Sequence, residues 1–500
     1  MIKLRIDNRE VRAEKGMSIL QCAASAGIEI PAMCTNPDLD HFTSCMICVV
    51  KEGSGKNLLP ACSTRVWEGM DIVTNDREVM DARKIALELL LSEHAGDCEA
   101  PCRLACPAFM DIPAMNRLIA EGNLPEAMKV VSEHIALPAV LGRICHAPCE
   151  NACKRKVIDQ AVSICLLKRY AADMCERIPK RTSKVLSKRT AIIGSGPAGL
   201  SAAFYLLRHD IGADLFDMNR EAGGMLRYGT SNEELDMSVL DREIEIIESM
   251  GAVFNQGREI DKSGLEKICR DYDAVVLACG KSSNGLAGTG NIPDNIYIAG
   301  NPDRPSRHAV RSVAQGREAA IKISGSGNPQ DERKRFNSVL GRLGEEECAE
   351  YLKEGSNDNR QVPAGGTASG FNREEAEKEA ARCLHCDCRK AGGCMLRDYS
   401  DSYSAVKKRF LYTGRKSVKK VIQHGVAVYE PGKCIKCGIC VRLTAKYGAE
   451  PGFTFIGKGF DVEIGVPFSG SLRDALGGIA AKVTDACPTG ALSGIKNDTV

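Results

Sequence analysis

The chain has no apolar run approaching the 18 residues needed to span a bilayer, and its charged start, MIKLRIDNREVRAEKG, offers no secretory apolar core. These absences lead to the expectation of a cytoplasmic protein with no membrane span, in which disulfides are the less favoured use of thiols. Net charge is lacking too. There are 67 basic and 65 acidic side chains, which leaves +2, so no nucleic-acid partner is inferred. The basic stretches Lys180–Arg189 and Lys407–Lys420 read as solvated linker faces. No nucleophile–base pair, open metal site or substrate domain can be identified. What the chain has in excess is cysteine, 24 residues in tight groups, and grouped thiols without an export signal point to metal.

The clearest single motif is TAIIGSGPAGL, residues 190–200. A run of β-formers meets Gly194, Gly196 and Gly199 and passes into the helical run LSAAFYLLRH, the strand–turn–helix setting of a dinucleotide fingerprint. The first glycine allows the tight turn and the second lets the backbone approach a pyrophosphate. The third lets helix pack on strand, with Pro197 and Ala198 at the positive helix start. Asp217 closes a second strand, ADLFD, where a ribose-binding carboxylate belongs.

At the N-terminus, MIKLRID and REVRAE read as a hairpin turning at Asn8, followed by the helical MSILQCAASAGI. Then come Cys34, Cys45, Cys48 and Cys62, spaced C-x10-C-x2-C-x13-C. The plant-type [2Fe–2S] spacing has a shorter first loop. This longer form resembles the ferredoxin module of the large iron–sulfur subunit of complex I and of iron-only hydrogenases, which implies a β-grasp [2Fe–2S] domain over residues 1–78. Four thiolates could equally build a zinc site. Cys22, on the apolar helix face, reads as packing.

Residues 79–188 read as a helical domain. An amphipathic helix runs into His94, Cys98, Cys102 and Cys106, and Cys145, Cys149, Cys153 and Cys165 follow. ELLLSEHAGDC is similar to the complex I segment in which one histidine and three cysteines hold a cluster. APCRLACP, GRICHAPCENAC and AVSICLLKRYAAD resemble the N-terminal domain of glutamate synthase small subunits and dihydropyrimidine dehydrogenase, where two [4Fe–4S] clusters interlace. Carried over by position, that resemblance implies one cluster on Cys98, Cys102 and Cys153, with His94 as the spare donor. The second cluster would use Cys106, Cys145 and Cys149 with Cys165. His94 could instead cap its helix, and Cys165 could be core.

Residues 189–325 continue the glutamate synthase small-subunit resemblance as a Rossmann-like FAD domain. EAGGMLRYG carries Gly224 and Leu226, which the resemblance places against the flavin, and YDAVVLACG is the next strand. The family then inserts a second glycine fingerprint for NADPH. Here the chain passes through KSSNGLAGTGNIPDN directly to IYIAGNPDRPSRHAVRSVAQGREAA, the returning flavin strand and helix. Gly288 and Gly290 have no strand before them and no helix after, so the pyridine-nucleotide domain is read as deleted. The acid of the family's A-G-D signature is Asn301, which can bond a ribityl hydroxyl but cannot ionise. Cys269 and Cys279 read as structural.

Residues 326–425 read as a linker and cysteine-cluster segment, with linker composition in SGSGNPQDERKR and EGSNDNRQVPAGGTASG. A helix capped by Asn372 delivers Cys383, Cys386, Cys388 and Cys394, a spacing open to a [4Fe–4S] cluster or to zinc. Residues 426–500 carry Cys434, Cys437 and Cys440 at C-x2-C-x2-C, with Cys487 before a proline. Thr444 stands where a bacterial ferredoxin would continue its run, so one [4Fe–4S] held by these four is the consistent arrangement. The segment resembles the second ferredoxin module of the complex I subunit with one cluster lost.

The expected fold class is multidomain α/β, and the expected cofactors are FAD, one [2Fe–2S] and three to four [4Fe–4S] clusters. These imply an electron-transfer subunit of a larger oxidoreductase. Its partners would be an NADH-oxidising FMN subunit of the complex I type and a catalytic subunit, or ferredoxin, with flavin-based bifurcation open. The alternative is a self-contained NAD(P)H-dependent flavoprotein reductase like the glutamate synthase small subunit.

Overall fold

The computed structural model describes residues 1–39, 42–53, 55, 57–175, 188–280, 286, 293–300, 308–327, 333–411 and 415–494. The chain forms two compact units. The first comprises Met1–Glu99, Arg335–Lys353 and Cys386–Val500, and the second Ala100–Lys334 and Glu354–His385. Among the described residues no helix is long and apolar enough to cross a membrane.

In the first unit the hairpin at Asn8 is present, with strands Ile2–Ile6 and Arg9–Ala13 antiparallel. Asp7 and Asn8 take φ of 48° and 65°, as a two-residue type I′ turn requires. Asp7 also accepts the Thr74 N–H at 2.7 Å, which ties the turn to the end of strand Asp71–Val73. The sheet runs Arg9–Ala13, Ile2–Ile6, Asp71–Val73, Val49–Glu52, Leu58–Pro60, with Ile2–Ile6 and Asp71–Val73 parallel. Helix Ile19–Ser25, opened by a reciprocal Ser18–Gln21 capping box, packs on it through Ile19, Cys22 and Ala23. This is the expected β-grasp, and Cys22 is fully buried packing.

Helix Arg77–Ser92, capped by Asp76, buries two charges along with its apolar face. Arg83 donates to the Val49 carbonyl from Nε and Nη2 (3.1 and 2.8 Å) and to the Tyr403 hydroxyl. Glu88 accepts from the Val406 N–H and from Arg409 Nη1. These bonds tie the β-grasp sheet and this helix to residues 403–409, which precede the C-terminal ferredoxin-like part in the chain. There a three-stranded sheet (Val421–His424, Ala427–Tyr429, Leu492–Gly494) supports helices Ile439–Lys446 and Ala480–Ala486. One core runs through both parts, joining Met33, Cys34, Leu87 and Leu91 to Tyr429, Phe453, Leu476 and Val483.

The second unit holds a five-stranded, wholly parallel sheet in the order Ile296–Ile298, Ala274–Leu277, Arg189–Ile193, Gly212–Asp217, Val253–Gln256. Helices Pro197–Arg208 and Ala309–Ser324 pack closely because Gly316 has no side chain. A Cβ there would stand 2.1 Å from the Ala198 carbonyl oxygen. Helices Ile112–Ala120, Leu124–Ser132, Pro138–Ile144, Ile164–Met174 and Arg373–Ala381 build the helical part. The last opens on the expected Asn372 cap, closed into a box by Glu375.

Residues 354–370, linker by composition, are bonded into this unit. Arg169 donates to the Thr367 and Ala368 carbonyls (2.9 and 2.6 Å), and Arg155 donates to the Ser356 carbonyl at 2.8 Å. Side chains distant in sequence satisfy the backbone of a stretch that composition alone reads as free. Beneath it lies a buried charge network. Arg382, wholly buried, donates to Glu379 at 2.9 Å and Asp159 at 3.0 Å, while Glu379 accepts the Ser163 and Gln361 N–H groups.

Candidate functional site

The four N-terminal cysteines converge. Cys34 and Cys45 sulfurs stand 3.5 Å apart, Cys48 and Cys62 3.0 Å, and Cys34 also bonds Cys62. Sulfurs this close cannot all ionise without a cation among them. Cys34 is pushed down chiefly by its bond with Cys45 and Cys48 by its bond with Cys62, while Cys45 and Cys62 are pushed up. An electron-poor metal pair would relieve that conflict, so the donor set fits an iron–sulfur centre.

Cys434, Cys437, Cys440 and Cys487 all line one small cavity with Tyr429, Ile464 and Pro488. Burial raises the thiols of Cys434 and Cys437 to about 11 and about 12, and each faces Cys487. Lys390 donates to the Thr484, Asp485 and Cys487 carbonyls, which closes the end of helix Ala480–Ala486 and positions Cys487. Thr444 is buried with its hydroxyl bonded to the Cys440 carbonyl, so it serves the helix rather than a metal. This group adjoins the N-terminal one. Cys437 faces Cys34, and Arg442 Nη2 lies 3.4 Å from both their carbonyl oxygens.

A third group in the first unit was not legible from spacing. Cys98, Cys388 and Cys394 face one another, the Cys388 N–H donates to the Cys98 carbonyl at 3.0 Å, and the Ser338 N–H donates to Cys98 Sγ at 3.3 Å. Gly490 makes room for Cys388, because a Cβ there would stand 2.3 Å from its sulfur. His94, in the same unit, is buried with Nδ1 unpartnered among the described residues. Burial pushes its pKa down to about 3, so the ring is a neutral donor as ligation requires. Its surroundings, Lys433 and Glu430, overlap those of Cys388, which Lys433 also faces.

The expected grouping therefore differs from the observed one. The family resemblance put Cys98 with Cys102 and Cys153, but Cys98 sits with Cys388 and Cys394. Spacing put Cys383, Cys386, Cys388 and Cys394 together. Instead Cys383 belongs to the second unit, where it faces Cys153, and Cys386 lies in the first, facing Tyr351 and Lys420. Linear spacing reports neighbours along the chain, and this chain leaves and re-enters the first unit between those cysteines.

In the second unit Cys106, Cys145, Cys149 and Cys165 surround the buried Lys168. Cys165 bonds Cys145 and Cys149; the bond from Cys145 lowers its pKa, but Cys149 and burial outweigh it and leave it raised to about 12. The Cys165 N–H donates to Glu150 at 2.9 Å, which fixes the start of helix Ile164–Met174. Cys102 lies on helix Pro101–Ala105, which packs on helix Pro148–Asn151 carrying Cys149.

One large pocket, about 1820 Å³, opens at the carboxyl end of the parallel sheet. Gly194, Gly196, Pro197, Ala198, Asp217, Gly224 and Leu226 line it, as does Cys145. Gly194 has φ of 107°, and Gly224, at φ 51°, approaches Gly196 so closely that a Cβ would lie 2.8 Å from its Cα. Gly199 is not at the pocket wall. A Cβ there would stand 1.9 Å from the Gly194 carbonyl oxygen, so its role is helix–strand packing. Asp217 accepts from the Ser195 N–H and hydroxyl and from Asn219, which holds its carboxylate at the strand end. Helix Pro197–Arg208 presents its N-terminus to the pocket, which suits a pyrophosphate. Asn301, Gly288 and Gly290 lie outside the described residues. Cys269 and Cys279 are half-buried, with Cys279 at the pocket wall.

Four families match along the chain. A 2Fe-2S iron–sulfur cluster binding domain covers residues 1–77, and dihydropyrimidine dehydrogenase domain II, 4Fe-4S cluster, covers 89–179. An NAD(P)-binding Rossmann-like domain covers 192–255, and the ferredoxin-like domain of NADH-quinone oxidoreductase subunit 3 covers 426–493. Among relatives, the beta subunit of NADP(+)-dependent formate dehydrogenase from Moorella thermoacetica is 34% identical over 218 residues, 38% of this chain and 31% of that protein. The beta subunit of NADPH-Fe(3+) oxidoreductase from Geobacter sulfurreducens is 38% identical over 188 residues, 36% and 28% respectively. The small chain of NADPH glutamate synthase from Escherichia coli (strain K12) is 34% identical over 206 residues, 40% and 44%. The chain thus spans less than half the length of each of these curated relatives. A 2Fe-2S and a 4Fe-4S cluster domain precede its Rossmann-like fold, and a ferredoxin-like domain follows it.

Proposed function

We propose that the chain is an iron–sulfur flavoprotein electron-transfer subunit of a multi-subunit oxidoreductase in a reducing, cytoplasmic setting. The observation that carries this reading is Cys145, which both lines the dinucleotide pocket and belongs to the group around Lys168. A nucleotide-bound redox group and a cluster would then share a wall.

Cys34, Cys45, Cys48 and Cys62 would hold [2Fe–2S]. Cys434, Cys437, Cys440 and Cys487 would hold one [4Fe–4S], and Cys106, Cys145, Cys149 and Cys165 a second. Cys98, Cys388 and Cys394 with His94 would hold a third. Cys102, Cys153 and Cys383 remain for a fourth in the second unit. A full complement is about 18 irons. FAD would supply exchange of one electron with clusters or two with a hydride donor. The chain's own residues would bind it: the Gly194–Gly196 turn at the pyrophosphate, Asp217 at the ribose, Gly224 and Leu226 near the ring.

The expected partners are an NADH-oxidising FMN subunit of the complex I type and a catalytic subunit, or ferredoxin. The relatives' description as beta subunits supports a place in such an assembly. Anaerobic mixing of the purified chain with NADH or NADPH tests the reading. Flavin absorbance should persist until dithionite is added. A second reading, a self-contained NAD(P)H-dependent reductase, is favoured by the NAD(P)-binding description of residues 192–255. Rapid bleaching by a pyridine nucleotide alone would establish it.

A further inference from the structure

Helix Ile164–Met174 carries Cys165 and, three residues on, Lys168, so both side chains leave the same helix face. Lys168 is 3% exposed, and its Nζ lies 4.0 Å from Cys165 Sγ. The sulfurs of Cys145, Cys149 and Cys106 also bear on it. Among the described residues no carboxylate pairs with it. Another buried lysine that faces a cysteine group, Lys433, is by contrast tied to Glu430 at 2.7 Å.

A buried ammonium with no carboxylate partner is costly unless an anion compensates it. A cubane held by four thiolates is such an anion, and it gains one more negative charge on reduction. The attraction between Lys168 and the cluster is therefore stronger in the reduced state, and in a low-dielectric interior that difference is weakly screened. The effect is to make reduction easier.

Resting on the cluster assignment above, we propose that Lys168 sets the reduction potential of the cluster on Cys106, Cys145, Cys149 and Cys165, raising it through its buried charge. Because Cys145 also lines the nucleotide pocket, the cluster so favoured is the one beside the flavin. The change is the uptake of one electron, with no bond made or broken. Lys168 acts through the cluster's charge and takes no part in ligation.

The test is an EPR-monitored redox titration of the full chain, following the signal that Cys145→Ala abolishes. Lys168→Gln should keep the iron content and lower that signal's reduction equilibrium at least tenfold, which is 59 mV for a one-electron couple. The other signals should stay in place. Lys168→Arg should keep the wild-type midpoint. An unmoved midpoint in Lys168→Gln, or an equal displacement of every signal, would overturn the proposal while leaving the cluster assignment standing. If Lys168→Gln loses the cluster, Lys168→Arg decides. A retained signal at the wild-type midpoint upholds the role, and a retained signal at a displaced midpoint overturns it. A wild-type protein with no signal sensitive to Cys145→Ala would sink the assignment itself.

Discussion

The Cys388 N–H donates to the Cys98 carbonyl oxygen across 3.0 Å, although the chain between them builds the whole second unit. A cysteine from before that excursion and two from after it, Cys388 and Cys394, thereby meet in one group.

Membership of that group can be read from iron. Cys388→Ala and Cys394→Ala should abolish the same EPR signal, each at a loss of about four irons, and the double variant should lose no more. Cys383→Ala should abolish a different signal. His94→Ala should leave the iron count near full and displace only the signal that Cys394→Ala removes, because a neutral imidazole leaves a cluster less negative than a thiolate does.

The buried network around Arg382 holds Cys383 beside Cys153. Arg382→Met would strand the Glu379 carboxylate, which is wholly buried with Arg382 as its cation. Loss of one partner of a buried pair costs about 3–5 kcal/mol. Chemical denaturation should register that loss, together with loss of the signal that depends on Cys383.

Gly199→Ala would drive a methyl group into the Gly194 carbonyl and push the helix away from the strand. The purified variant should be depleted of flavin while keeping its iron. The flavin-to-iron ratio measures this directly, and Asp217→Ala should lower the same ratio less severely.

Glu347 accepts from Arg415 and from the Gly344 and Val418 N–H groups, and Arg415 leads in holding its pKa down to about 2. A depressed folded pKa stabilises above the unfolded value, about 4.3, and that contribution fades as pH falls toward 2. The difference in urea midpoint between the protein and Glu347→Gln should hold from pH 7 to 5 and shrink below about pH 4.5.

Local chemistry was legible wherever its partners were close in sequence. The Asn8 turn, the Asn372 cap, the buried Cys22 and the glycine fingerprint all stand as expected. The set Cys106, Cys145, Cys149 and Cys165, far apart in sequence and implied only by the family resemblance, also comes together. What escaped was non-local. Nothing in the spacing pairs Cys98 with Cys388, because their neighbourhood exists only once the first unit closes. The ordered path of residues 354–370 depends on Arg155 and Arg169, far upstream. Lys168 sat in plain view within ICLLKRY, but its burial among sulfurs is a property of the packed helices.

The bond between Cys98 and Cys388 has a consequence for biosynthesis. The whole intervening unit must be translated before the second of these cysteines leaves the ribosome, so under the proposed assignment metal delivery to that group follows completion of that unit. Premature termination inside it would yield a product able to fill the N-terminal [2Fe–2S] loop but not its neighbour, and partial metallation would then date the point at which translation stopped.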